Sequence, residues 1–266
     1  MTSLTASVPP AARRGGRFLA LVRAETTILL RNKTAVFIAV ALPVLMAVAF
    51  TGIALDAEYL GVALGTILVA TGLLFVVYYT LVTSLVGRRE QLVLKRLLSG
   101  EPTPLEILLA PAVPLWVLLV VQAGIGIGGG VLLGAPLAHP WALALAVFGG
   151  ASAWTALAMW SATWTRTVES AQLTTMPLMM ISILLSGFSI PLAALPEVAE
   201  RVARWLPMTP VVDLLGFAHT GVSPSGTPTG FAEVALAAGQ LFLPLVLWTA
   251  LGLYLGVRNF RWDPRS

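Results

Sequence analysis

No cysteine occurs among the 266 residues. That excludes disulfides, thiolate metal sites and cysteine nucleophiles. Charge is also scarce. Asp, Glu, Lys and Arg make up 11% of the chain, where a soluble domain carries roughly 25%. With 58% hydrophobic residues and a mean hydropathy of +0.89, too few polar side chains remain to cover a water-facing surface. The solvent of this chain is mostly lipid. Lysine is confined to Lys33 and Lys95, and neither follows the glycine-rich phosphate loop of an ATPase. His139 and His219 are the only histidines, and no His–Glu pair stands at zinc spacing. Ser186 and Ser189 lack the strand–turn–helix setting of a hydrolase serine. These absences point away from an enzyme.

What is present is a series of uncharged runs. Residues 34–55 and 59–87 carry no charge. Neither do 107–164, a stretch too long for one crossing, since about 20 residues suffice. It breaks at Gly134-Ala135-Pro136-Leu137-Ala138-His139-Pro140, a turn cluster that folds it into two spans. Residues 170–196 and 234–257 complete six. The runs do not alternate polar and apolar as barrel strands do, and an open sheet cannot leave its edge groups unpaired in lipid. The expected fold is all-α: a polytopic bundle of six transmembrane helices over 34–257, with a disordered tail at 1–12 and a short tail at 258–266. Arg13-Arg14 has the look of a twin-arginine export signal, but Arg23 and Glu25 interrupt the apolar core such a signal needs.

Orientation follows from the cations. Fourteen of the 16 Lys and Arg residues fall before the first span, between the second and third, between the fourth and fifth, or after the sixth. Only Arg201 and Arg204 lie on the other side. The expectation is a multi-pass protein of the cytoplasmic membrane with both termini in the cytoplasm. The net charge of +4 and pI near 10.0 then belong to the anionic inner lipid surface, not to nucleic acid.

Residues 13–33 space Phe18, Leu21, Val22, Ile28 and Leu29 helically among Arg17, Arg23, Arg31 and Lys33. This reads as an amphipathic helix in the cytoplasmic interface, with an ordinary solvated helix as the alternative. The cytoplasmic loop 87–106 mixes Leu92, Leu94, Leu97 and Leu98 with Arg88, Arg89, Glu90, Lys95 and Arg96, and stops at Gly100 and Pro102. It is a short amphipathic helix, either docking a cytoplasmic partner or anchored among headgroups. The external loop 191–233 holds a second short helix, Glu197 to Trp205, bracketed by Leu195-Pro196 and Leu206-Pro207. It either caps a pathway or lies passively on the surface. Pro43, Pro177 and Pro244 are expected to kink their spans. Glycines four apart at Gly61/Gly65, Gly124/Gly128, Gly126/Gly130 and Gly252/Gly256 mark close helix packing. No Asp, Glu, Lys or Arg sits mid-span, which argues against a self-powered ion- or proton-coupled transporter.

Three regions together resemble the membrane subunit of type-2 ABC exporters, the permeases of drug, lipid and polysaccharide efflux. The first is Arg23-Ala24-Glu25 through Leu30-Arg31-Asn32-Lys33, then Ala41-Leu42-Pro43. The second is Arg88-Arg89-Glu90 with Leu97 and Glu101-Pro102, departing from the family at Gln91, where a glycine is common. The third is Leu185-Ser186-Gly187-Phe188, Ile190-Pro191, Leu195-Pro196, Trp205-Leu206-Pro207, Pro210 and Gly221. The resemblance implies an interface helix (Arg23, Glu25, Arg31), an ATPase-docking loop (Arg88, Arg89, Glu90, Leu94, Lys95, Arg96) and external gating elements (Pro43, Gly187, Pro191, Pro196, Pro207). It implies a separate nucleotide-binding subunit and a second permease subunit, in a homodimer or heterodimer. No cofactor is bound by this chain itself; ATP and magnesium belong to the partner. The implied cargo is a hydrophobic or amphipathic compound, such as a drug, an antibiotic or a lipid-like molecule. The alternative is a non-transporting scaffold or assembly protein.

Overall fold

Every peptide group inside lipid must be paired within its own segment, and a helix does this locally. The computed structural model describes residues 14–31 and 57–263, with Phe37, Ala41 and Leu45 between them. The expected first span and its Pro43, and the tail at 1–12, lie outside the described residues. Among the described residues there is no β-strand, only an isolated bridge between Ser223 and Gly226.

The first helix, α1 (Arg14–Arg31), precedes the membrane spans and leaves Leu19, Ile28 and Leu30 exposed. Among the described residues, five segments are long and apolar enough to cross a membrane: Leu60–Glu90, Pro104–Leu132, Pro140–Trp164, Val168–Leu185 and Phe231–Asn259. They are the second to sixth of the expected spans. We label them as follows. Helix α2 covers 57–90 and passes through a π-helical stretch at Gly72–Tyr79. After it come the short α3 (Val93–Leu98) and α4 (Pro104–Leu109), then α5 (Ala112–Leu132). Helix α6 covers 140–164 with a π-helical stretch at Leu145–Gly149. Helix α7 is Val168–Leu185, α8 Glu197–Ala203, α9 Thr209–Thr220 and α10 Phe231–Asn259.

The core centres on α2, whose Leu73, Leu74, Val76, Val77, Leu81 and Leu85 are fully buried. It meets α5 on one side and α6 on another, and α10 packs on the far face of α6. Small residues allow the close approaches. A Cβ on Gly61 of α2 would stand 2.6 Å from the Gly130 carbonyl oxygen of α5, and one on Gly252 of α10 would stand 2.7 Å from the Ala156 backbone of α6. Without a hydrophobic drive between helices in lipid, such backbone proximity supplies the packing energy. Gly124 and Gly128 meet nothing within 4 Å, so that pair serves no contact within the described residues. Two aromatic residues pair their polar tips, while the Nε1 of the buried Trp154 has no hydrogen-bond partner among the described residues. Tyr78 stacks edge-on against Trp154 at 5.2 Å and its hydroxyl meets Ser161 Oγ at 2.9 Å, while Trp116 Nε1 donates to Thr155 Oγ1 at 2.9 Å.

The fifth span is shorter than its uncharged run. It ends at Leu185, because Gly187 turns left-handed at φ +81° and Pro191 follows. Beyond it the chain does not simply lie outside. Helix α9 carries Val211, Leu214, Leu215, Phe217, Ala218 and His219 into the core, against α2, α6 and α10. The sequence reading expected short external helices between the fifth and sixth spans, but gave bounds only to Glu197–Trp205 and did not expect one in the core. The cause is composition: α9 has twelve residues, too few for a span and too apolar for a loop. Pro177 and Pro244 stand inside α7 and α10, which run on through them.

Candidate functional site at the basic end

The cations before the first span, in the loop 87–106, after α6 and after α10 converge at one end of the bundle. Contacts among them show this directly. Arg17 of α1 pairs with Glu101 at 3.2 Å, and Lys95 of α3 pairs with Asp263 beyond α10 at 2.6 Å. Arg88 at the end of α2 grips Glu25 of α1 with both guanidinium arms, Nη1 to Oε1 and Nη2 to Oε2. This pair is largely withdrawn from solvent, with side-chain exposures of 15% and 8%. A forked, two-bond pair is the strong form of ion pairing, and burial shields it from salt.

Adjacent helix positions point about 100° apart, so Arg89 turns away from α1. Its guanidinium is fully buried at the last turn of α6. Nη1 donates to the Ala162 carbonyl at 2.8 Å, and Nη2 to the carbonyls of Thr165 and, at 3.3 Å, Arg166. Those carbonyls are the ones a helix end leaves unpaired, and a cation there also meets the negative end of the dipole. Thr165 is held in turn by Ser161 O and Thr174 Oγ1, both at 2.9 Å. The two neighbouring arginines thus fasten α2 to α1 and to α6.

The loop helix α3 is seated by Leu94, which is fully buried, with Leu97 and Leu98 packed beside it. It is entered through Leu92 at φ +60°, the only positive-φ residue other than glycine among those described. A leucine in that region is strained by about 1–3 kcal/mol, so the surrounding packing holds the turn. It falls directly after Gln91, the position where the resemblance expects glycine. The loop leaves through Thr103 and Glu106, a reciprocal capping box ahead of Pro104, with Thr103 N donating to Glu106 Oε2 at 2.7 Å.

Of the residues singled out from sequence, the structure brings Glu25, Arg88, Arg89, Leu94 and Lys95 into one braced assembly. Glu90, Arg96, Arg23 and Arg31 are exposed and form no ion pair among the described residues. Sequence reasoning missed Arg17, Glu101 and Asp263 as partners, because their pairings cross 84 and 168 positions and leave no periodic trace. The capping box at Thr103 was the part a spacing rule could find. Gly187, Pro191, Pro196 and Pro207 lie outside this assembly: Gly187 closes α7, Pro196 precedes α8, Pro191 is exposed and Pro207 is buried. The arrangement can transmit force. Between α1, α2 and α6 the links are the buried Arg88 and Arg89, whereas the Arg17–Glu101 and Lys95–Asp263 pairs face solvent.

No curated protein matches the chain significantly. Residues 56–254, about three quarters of its length, match the family described as ABC-2 family transporter protein, and the chain belongs to that family as a membrane permease subunit of an ABC transporter.

Proposed function

We propose that this permease exports a hydrophobic or amphipathic compound from the cytoplasm or inner leaflet, driven by a separate ATPase that docks on the basic end. The observation that carries the reading is the bracing of α3. The short helix α3 exposes Lys95 and Arg96, with Glu90 exposed just before it at the end of α2; Leu94 roots it, and the adjoining end of α2 is fastened through Arg88 to α1 and through Arg89 to α6. A headgroup anchor needs cations near lipid but not this rigid attachment. ATP and magnesium are held by the partner, and closure of two ATPase subunits moves the loop and, with it, the spans. A second permease copy, identical or related, completes the pathway. The basic end faces the cytoplasm, which the positive-inside rule supports.

The test is reconstitution of the permease with its ATPase. Charge reversal at the exposed residues, Glu90→Arg with Arg96→Glu, is expected to abolish stimulation of ATP hydrolysis while the permease stays folded. Unchanged co-purification and unchanged hydrolysis in that variant overturn the docking assignment. No ATP-dependent movement of any compound by the full complex favours a scaffold instead.

A further inference from the structure

The uncharged spans leave no Asp, Glu, Lys or Arg in mid-membrane by sequence, yet the fold carries charge alongside the sixth span. Helices α8 and α9 and the turn at Ser223–Gly226 close against α10 around a cavity of about 260 Å³. Its wall from α10 is Ala237, Gln240, Leu241, Leu243 and Pro244, and Arg204, Trp205, Asp213, Ser223 and Ser225 complete it. The depth is set by a hydrogen bond: Trp248 Nε1 of α10 donates to the Trp205 carbonyl at 2.7 Å. Trp248 lies well along that helix, so α8 sits beside the span and not beyond its end.

The charges in this region do not cancel. Arg204 is engaged by Glu200 at 2.5 Å, and Arg201 by Glu197 at 3.4 Å, each on its own helix. Asp213 forms no hydrogen bond and no ion pair among the described residues. Arg204 acts on Asp213 electrostatically without pairing with it, and Glu197, Glu200, Asp213, Arg201 and Arg204 together leave one net negative charge. Around it stand further acceptors, the Gln240 carbonyl and two serine hydroxyls, with Ser223 Oγ and Ser225 Oγ 2.9 Å apart. The Trp205 ring adds a face that attracts cations. A site of about 300–1,000 Å³ encloses a whole small molecule; this one is smaller and holds a head group. Leu243, Val246 and Leu247, exposed along α10, offer an apolar track for the remainder.

We infer that this cavity binds the cationic head of an amphipathic organic cation, with Asp213 as the counter-charge and Trp205 as the aromatic wall. The inference rests on the export reading and names its substrate class. A carboxyl that forms no ion pair beside lipid is a ready counter-charge for a cation. An anion meets one net negative charge here, with Arg204 already engaged by Glu200.

The experiment measures saturable binding of radiolabelled benzyltrimethylammonium to the purified full-length permease in nanodiscs, with benzenesulfonate as the anion of similar size. The expected result is binding of the cation, no competition by the anion, a loss of at least tenfold in affinity in Asp213→Asn, and retention in Asp213→Glu. Gln240→Leu, which keeps every charge, is expected to weaken binding by a few fold, so the assignment does not depend on one variant. Equal binding to wild type and Asp213→Asn, or competition by benzenesulfonate, overturns it. No ATPase is present in this measurement. Cation binding without ATP-driven movement in the full complex would count against export alone, and ATP-driven movement of compounds that never bind here would count against the cavity alone.

Discussion

Arg89 gives the sharpest test of how the basic end is built. Replacing it by alanine removes three donors from the last turn of α6 and leaves the carbonyls of Ala162, Thr165 and Arg166 without their cap. A hydrogen bond to a charged group contributes about 1.5–3 kcal/mol, but three bonds from one guanidinium are not additive, and the arginine itself is costly to bury. Truncating one side of a buried charged interaction costs about 3–5 kcal/mol, and we take about 4 for Arg89→Ala. At roughly 2–4 °C per kcal/mol for a chain of this size, the melting temperature falls by about 10 °C. The assay is thermal unfolding of the purified permease in one detergent, followed by tryptophan fluorescence. Arg96→Ala is the control, because that side chain is exposed and its loss is expected within about 0.5 kcal/mol of wild type. Arg89→Lys is expected to recover only part, since an ammonium lacks the fork that spans separate carbonyls. If Arg89→Ala melts with Arg96→Ala, the guanidinium does not hold α6 and the force path proposed above is wrong.

Other expectations follow from the same contacts. Arg88→Glu alone sets two carboxylates against each other at a largely buried site and costs about 3 kcal/mol; adding Glu25→Arg is expected to restore most of the melting temperature, and failure of the swap to rescue would refute the pair. Gly130→Ala drives a methyl into the Gly61 carbonyl and is expected to cost about 1–3 kcal/mol, whereas Gly124→Ala, which meets open space, is expected to be neutral or slightly stabilising; equal melting of the two would contradict the packing. Burial pushes Asp213 up to about 6, partly offset by Arg204, from a usual value near 4. The folded state therefore holds this proton more tightly than the unfolded one. Its stabilising effect is complete below about pH 4 and is lost as pH rises through about 6, amounting to about 2 kcal/mol after allowance for partial exposure. The charged neighbours on α8 are Arg204 and Glu200, and the α10 wall adds none. Asp213→Asn is expected to melt higher than wild type at pH 7.5 and to lose the dependence on pH in that window, read by unfolding at pH 4.5 and 7.5. A variant that melts lower at pH 7.5 would show that the carboxylate is stabilising.

Lipid as the solvent, helices as the only spanning element, and the collection of cations at one end were all legible from residue order. Each depends on local composition: an uncharged run long enough to span, a turn cluster at Gly134–Pro140, arginines on alternate loops. The loop helix around Leu94 was legible for the same reason, since it is written within a few residues. What residue order could not express was which side chains meet. Arg88 and Arg89 are neighbours of one type, yet one grips Glu25 and the other disappears beneath α6, because a helix turns them apart and other segments arrive on each side. The apolar residues of α9 read as an external loop until the fold drew them into the core, and with them came Asp213 to the flank of α10. Hydropathy is a property of a segment and can be summed along it. An ion pair or a pocket belongs to surfaces far apart in the chain, and exists only once packing has brought them together.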